Sequence, residues 1–179
     1  MITGTHTVIR TAEKDDAPRL LEAYRGPVLR ATLLDQRREP VQPTRDELGE
    51  MLAAKEASRG LFYAVEDPEG RVLGFCGLRG VNQEAQFAEA MLLFTDTAAE
   101  AGPAGDEAAA FLLDQARGRL HLAKMMTTAL DSETGLAELL ARNSFVCEGA
   151  QRQAVYSGGR WHDLQTWTRF LDGSGGEND

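Results

Sequence analysis

The sequence predicts a mixed α/β (α+β) fold, one sheet flanked by helices, in the order β-α-α-β-β-β-α-β-α-β-β. Three observations carry this prediction. Short β-branched and aromatic runs alternate with stretches of helical period. Turn signals punctuate them where strands should reverse. The last third ends in two long strand patterns around Ser157-Gly158-Gly159-Arg160, a hairpin signature. At 179 residues the chain fits one domain, placed over residues 1–172, with a polar Gly-rich tail at 173–179 expected to be disordered.

Each element has a local reason. Thr7-Val8-Ile9-Arg10-Thr11-Ala12 is a short strand. Asp15 or Asp16 starts a helix with Pro18 in its first turn and Leu20, Leu21 and Tyr24 on its apolar face. Arg25 to Pro43 holds three prolines and no clean period. It reads as irregular, with a helical turn at Leu29 to Leu34, and a long connection of this kind is often functional. Thr44-Arg45-Asp46-Glu47 has capping-box spacing, and the helix it opens carries Leu48, Met51 and Leu52 and stops near Ser58-Arg59-Gly60. Leu61 to Val65 and Val72 to Leu78 are strands joined by the turn Asp67-Pro68-Glu69-Gly70. Glu89 to Phe94 is a further strand, and Ala98 to Gly105 is a loop of small residues. A helix follows over Asp106 to Leu120, then a strand at Lys124 to Leu130, a short helix from Ser132 to Arg142, and the hairpin.

The formal net charge of -9 disfavours duplex nucleic acid as a partner, because phosphate contacts need a basic surface. It is compatible with a cationic substrate such as an amine, and equally with acidity that only maintains solubility. Cys76 and Cys147 both sit in strand-like apolar contexts and read as reduced, buried small hydrophobes. No apolar run reaches membrane-spanning length and the N-terminus lacks the pattern of a signal peptide, so a cytoplasmic protein without a membrane partner is expected. His6 and His121 have no partner at metal-ligand spacing, no metal site is read, and no zinc, P-loop, dinucleotide or triad motif is present.

The segment Leu139-Leu140-Ala141-Arg142-Asn143-Ser144-Phe145-Val146-Cys147-Glu148-Gly149, with the hairpin through Trp161-His162-Asp163 to Trp167, resembles the closing segment of the GNAT acyl-CoA N-acetyltransferases. Within that superfamily it is similar to the branch acting on ribosomal-protein N-termini and polyamines. The element order agrees over nearly the whole chain. The resemblance implies a mostly antiparallel sheet of six to seven strands. It implies acetyl-CoA as cosubstrate and, as acceptor, a primary amine on a small molecule or a peptide N-terminus.

The resemblance also places the site. The pantetheine arm would pair with the backbone of the fourth strand, at Leu93, Phe94 and Thr95, like an added strand. Two strands should therefore part at Leu92–Phe94 and Met125–Thr127. The pyrophosphate would rest on the next helix start, at Ala99, Glu100, Ala101, Gly102, Ala104 and Gly105, where unpaired N–H groups favour anions. The family loop reads Arg or Gln, two residues, Gly, one residue, Gly or Ala. Gly102 and Ala104 fit its last two positions, but Ala99 stands at the first. In the register shifted by one, Glu100 and Pro103 fall on the charged and glycine positions, and in either register Pro103 removes one donor. A capped helix start with Pro in its first turn explains the same residues without a ligand.

The chemistry is similarly divided. Leu140 stands at the family's acid tyrosine, Ser144 at its glycine, and Glu133-Thr134 near its asparagine. Glu89 matches a glutamate that serves some relatives as base, or else it pairs with an arginine across the sheet. Tyr156 or solvent would protonate the leaving thiolate, and Asp163 would orient a cationic amine or pair within the hairpin. Cys147 has no basic neighbour to activate it as a nucleophile. Trp161, Trp167 and Phe170 pack the hairpin against the sheet or form a homodimer surface. The expected function is an acetyl-CoA-dependent amine N-acetyltransferase, since backbone donors carry most of the cofactor contact; the alternative is a GNAT-fold binding or regulatory protein without catalysis.

Overall fold

The computed structural model describes residues 2–38, 41–53 and 61–171. The helix stop near Ser58 to Gly60 and the tail from Gly173 to Asp179 lie outside them. Among the described residues one eight-stranded sheet runs in the order β1-β2-β3-β4-β5-β6-β8-β7. Its strands are β1 (Ile2–Thr3), β2 (Val8–Thr11), β3 (Leu61–Glu66), β4 (Val72–Asn82), β5 (Phe87–Phe94), β6 (Lys124–Leu130), β7 (Val146–Ser157) and β8 (Arg160–Phe170). The extra strand is β1, two residues too short to show a period in sequence. All neighbours are antiparallel except β5 and β6, which are parallel.

Helices cover both faces: α1 (Ala17–Arg25), α2 (Arg45–Ala53), α3 (Thr97–Ala101), α4 (Pro103–Asp114) and α5 (Thr134–Arg142). Strand alternation divides β5 between two cores. Ala90, Leu92 and Phe94 pack with α4 and α5 residues, among them Ala108, Leu112, Leu139 and Leu140. Met91 and Leu93 pack with Leu20 and Leu21 of α1 and Leu48 of α2. The capping box at α2 is formed: the Thr44 N–H donates to Glu47 Oε2 at 2.7 Å, and the Glu47 N–H to Thr44 Oγ1 at 3.2 Å. Asp16 precedes α1 but makes no side-chain cap. Its carboxylate instead accepts from both guanidinium nitrogens of Arg10 at 2.8 Å, a charge-assisted bond stronger than an exposed cap.

Two expectations are corrected here. Cys147 is exposed, because β7 is an edge strand with its outer side uncovered, whereas Cys76 is buried; both thiols are free. Trp161 is 54% exposed, so core packing does not describe it, while Trp167 is partly buried against the main core. No helix among the described residues is long and apolar enough to cross a membrane.

The N-terminal turn is tied down by one carboxylate. Glu107 of α4 accepts from the Thr5 and His6 N–H groups at 3.1 and 2.9 Å and from Thr7 Oγ1 at 2.6 Å. Burial alone would raise the Glu107 carboxyl, but the bonds from Thr7 and the backbone outweigh it and hold the carboxyl below its ordinary value. A depressed carboxylate stabilises above its unfolded pKa and loses that contribution as pH falls through the folded value. Amide exchange at Thr5 and His6 is therefore expected to accelerate, relative to the core, as pH falls through the carboxylate range, and Glu107→Gln should show the faster exchange already at neutral pH. Unchanged protection in both conditions would contradict this role.

Candidate active site

β5 and β6 pair at three positions only: Phe87 with Lys124, Ala88 with Met125, and Glu89 with Met126. Beyond them β5 stays with β4 up to Phe94, and β6 stays with β8 up to Leu130. The two strands therefore part from Ala90 and Thr127 onward. The parting expected at Leu92–Phe94 is present. On β6 it begins at Thr127, since Met125 and Met126 are still paired. Alternation in the β4–β5 ladder turns the Phe94 carbonyl toward the gap, while the Thr95 N–H goes the other way to the Leu73 carbonyl at 3.2 Å.

The end of the gap is bridged by the chain itself. A 3-10 turn at Ala31–Leu33 packs against both β5 and β6. Arg30, just before it, is 6% exposed. Its Nη1 and Nη2 donate to Glu100 Oε1 and Oε2 at 2.7 and 3.1 Å, and Nη2 also donates to the Phe94 carbonyl at 3.3 Å. Glu133 Oε1 lies 3.6 Å from Nη1. Glu133 Oε2 accepts from the Ala31 N–H at 2.9 Å and the Leu130 N–H at 2.8 Å. A continuous polar chain thus runs from the β5 edge through Arg30 and Glu133 to the β6 edge. Glu100 and Glu133 are each 2% exposed. Burial raises the Glu133 carboxyl above its ordinary value, more than the two N–H groups and Arg30 lower it.

The segment read as a loop is helical. Asp96 caps α3 by accepting from the Ala98 N–H at 2.7 Å. The Glu100 N–H donates to the Asp96 carbonyl at 3.1 Å, Gly102 to Ala98 at 3.0 Å, and Gly105 to Gly102 at 3.2 Å. Pro103 opens α4 with no N–H to give. Of the residues expected to cradle a pyrophosphate, Glu100, Gly102 and Gly105 therefore have their donors spent, and the Glu100 side chain places a carboxylate beside the gap. Ala99 packs against the core, Ala101 is exposed and Ala104 is buried. A Cβ on Gly105 would meet the Glu100 carbonyl at 2.4 Å and Leu139 Cδ1 at 3.0 Å, so this glycine serves the packing of α4 on its neighbours. Arg142 locks the junction, donating to the Glu100 carbonyl at 2.9 Å and to Asp106 Oδ1 at 2.7 Å. As they stand, these residues offer a polyanionic pyrophosphate spent donors and a neighbouring carboxylate, which is a poor fit.

The candidate catalytic groups are not brought together. Glu89 pairs across the sheet with Arg79, Nη2 to Oε1 at 2.5 Å, and Arg79 Nη1 also donates to the Thr32 carbonyl at 3.3 Å. Tyr156 lies on β7, separated from β5 by β6 and β8. It is 57% exposed, edge-on to Trp161, and alternation sets it opposite the buried Val155. Asp163 Oδ1 accepts from the Gln153 N–H at 2.8 Å, where β7 bulges and Gln153 takes a positive φ of 51°. His162 is buried, with Nδ1 3.2 Å from Asp131 Oδ1. Leu140 is fully buried in the main core. Ser144 keeps the left-handed conformation, φ 61°, that glycine adopts without strain.

A cleft of about 240 Å³ opens beside the gap, lined by Tyr24, Pro27, Leu29, Arg30, Leu33, Gln42 and Ser157 among others. No carboxylate stands among those lining residues. Burial raises the Tyr24 hydroxyl, with the Arg79 charge acting in the opposite direction. Arg30 was missed in the sequence because a lone arginine in an irregular stretch carries no period. The available signal was charge: Glu133 stands near the family's asparagine and Glu100 in the small-residue run, and acids that become buried need a cation.

A family model described as an acetyltransferase (GNAT) domain matches residues 9–167. No curated protein matches the chain. Spermidine N-acetyltransferase from Vibrio cholerae in complex with CoA and spermine superposes with a TM-score of 0.77 at 18% identity, over 94% of this chain and 97% of that one. A dodecameric structure of spermidine N-acetyltransferase from Vibrio cholerae gives 0.76 at 18% identity, over 98% and 100%. A probable acetyltransferase gives 0.72 at 20% identity, over 93% and 94%. Family model, strand order and parted strands agree, and the chain belongs to the GNAT acetyltransferase family.

Proposed function

We propose that this chain is a GNAT-family protein that works as a binding or regulatory module without acyl transfer. The observation that supports this reading is the Arg30 bridge across the parted strands. A cofactor arm entering there must displace Arg30 and leave two carboxylates buried. Breaking a buried pair costs about 3–5 kcal/mol, which lowers affinity by about a hundredfold to a few thousandfold. Backbone donors could offset side-chain losses in a degenerate site, but here several are already bonded within α3 and α4. The remaining cleft carries hydroxyl, amide and apolar groups with Arg30 at its wall and no carboxylate among its lining residues, which does not suit a polyamine. Two free thiols are consistent with a reducing, cytoplasmic setting.

Isothermal calorimetry at millimolar acetyl-CoA is expected to give no saturable heat, and no acyl group should pass to any amine tested. Micromolar binding or measurable turnover would reject the proposal. A second reading is acetyl-CoA-dependent N-acetylation of a primary amine, on a small molecule or a peptide N-terminus. It is favoured by the retained parting of β5 and β6. In that reading Glu89, released from Arg79, takes the amine proton, Asp163 orients the amine and Tyr156 or solvent supplies the returning proton. Family membership does not decide between the two, since fold does not fix function.

A further inference from the structure

We infer that the groove between β5 and β6 is a cation site, built for a guanidinium group and filled by the chain's own Arg30. This deepens the non-catalytic reading and rests on it. Among the described residues, the polar groups that meet the guanidinium all accept: both Glu100 oxygens, the Phe94 carbonyl and, at 3.6 Å, Glu133 Oε1. Glu133 Oε1 is buried and has no hydrogen-bond partner, so one acceptor remains aimed at the cation and is otherwise unused. The two-pronged contact to Glu100 matches the planar fork of a guanidinium, which an ammonium ion cannot reproduce. The frame is fixed independently of the Arg30 side chain. Glu133 is held by the Ala31 and Leu130 N–H groups, and a Cβ on Gly135 would come within 3.0 Å of Glu100 Oε2, so glycine there leaves Glu100 its place. Where the resemblance implies a groove for the pantetheine arm, this chain lines the end of the gap with acceptors for a cation.

The test is chemical rescue of the full chain. Arg30→Ala is expected to lower Tm by roughly 5–15 °C. N-ethylguanidinium at millimolar concentration should raise it again in a saturable way, while ethylurea, of similar shape but uncharged, should leave it unchanged. The wild type, whose groove is filled, should respond to neither. Equal rescue by ethylurea, an unchanged Tm in Arg30→Ala, or a wild-type response equal to the variant's would each overturn the inference. Should Arg30→Ala fail to fold, Arg30→Lys and Arg30→Met replace it: the lysine variant must melt between the methionine variant and wild type, and a lysine variant no more stable than the methionine one rejects a cation site. Acetyl-CoA calorimetry on the wild type judges the non-catalytic reading separately. Cofactor binding there together with guanidinium-selective rescue would reject that reading and leave the charge preference of the emptied groove standing.

Discussion

Glu133→Ala is expected to destabilise the protein by about 3–5 kcal/mol, as removal of one partner from a buried ionic network does. Two costs combine. The Ala31 and Leu130 N–H groups lose their common acceptor. Arg30 keeps Glu100 but loses the charge that ties it toward β6. Replacing the whole network by apolar residues (Arg30→Met, Glu100→Leu and Glu133→Leu together) should cost much less than the three single changes summed, because no unpaired charge remains. Urea unfolding of the single and triple variants measures both. A Glu133→Ala change within about 0.5 kcal/mol of wild type would place the residue among ordinary surface positions and contradict a stabilising bridge.

The pH dependence of this network has a definite sign. Burial raises the Glu133 carboxyl in the folded state, so the folded protein binds that proton more tightly than the unfolded chain. Its linkage contribution is complete below the unfolded pKa and is lost as pH rises through the raised folded value. Glu107 runs the opposite way, since its carboxyl is depressed. The stability of Glu133→Gln, which has no proton to lose, should therefore improve relative to wild type as pH rises from the carboxylate range toward neutrality.

Leu140→Ala is expected to cost about 2–5 kcal/mol, and Leu140→Tyr is expected to destabilise by about 1–3 kcal/mol without creating turnover. Leu140 stands where the family resemblance implies a proton donor, and it is fully buried beside Leu136, Leu139 and Phe145 in the main core. A tyrosine there has to displace packed side chains before its hydroxyl reaches the gap. Thermal unfolding with an acyl-transfer assay on both variants checks this. Acetylation gained by Leu140→Tyr would show that the site lacks only its acid, and would revive the catalytic reading.

Much of the fold was legible in the sequence because its signals are local. The Thr44–Glu47 capping box, the Asp67–Gly70 turn and the β6 span Lys124–Leu130 appear as read, each set by residues within a few positions of one another. The error at Ala98–Gly105 was also local: small residues suggested a loop, but the Asp96 cap and the run Ala98-Ala99-Glu100-Ala101 favour a helical turn. Its consequence is larger than its length, since the turn consumes the donors a phosphate needs.

By itself, the sequence determined the order of strands and helices apart from β1 and α3, the family, and the losses at Ala99, Pro103, Leu140 and Ser144. Only the tertiary structure decided what replaced the lost groups. Arg30 meets Glu100 across 70 positions, and Ala31 meets Glu133 across 102. Periodicity and capping act within a turn or two of the chain, whereas an ion network across a sheet exists only once distant segments have been brought together and water excluded from between them.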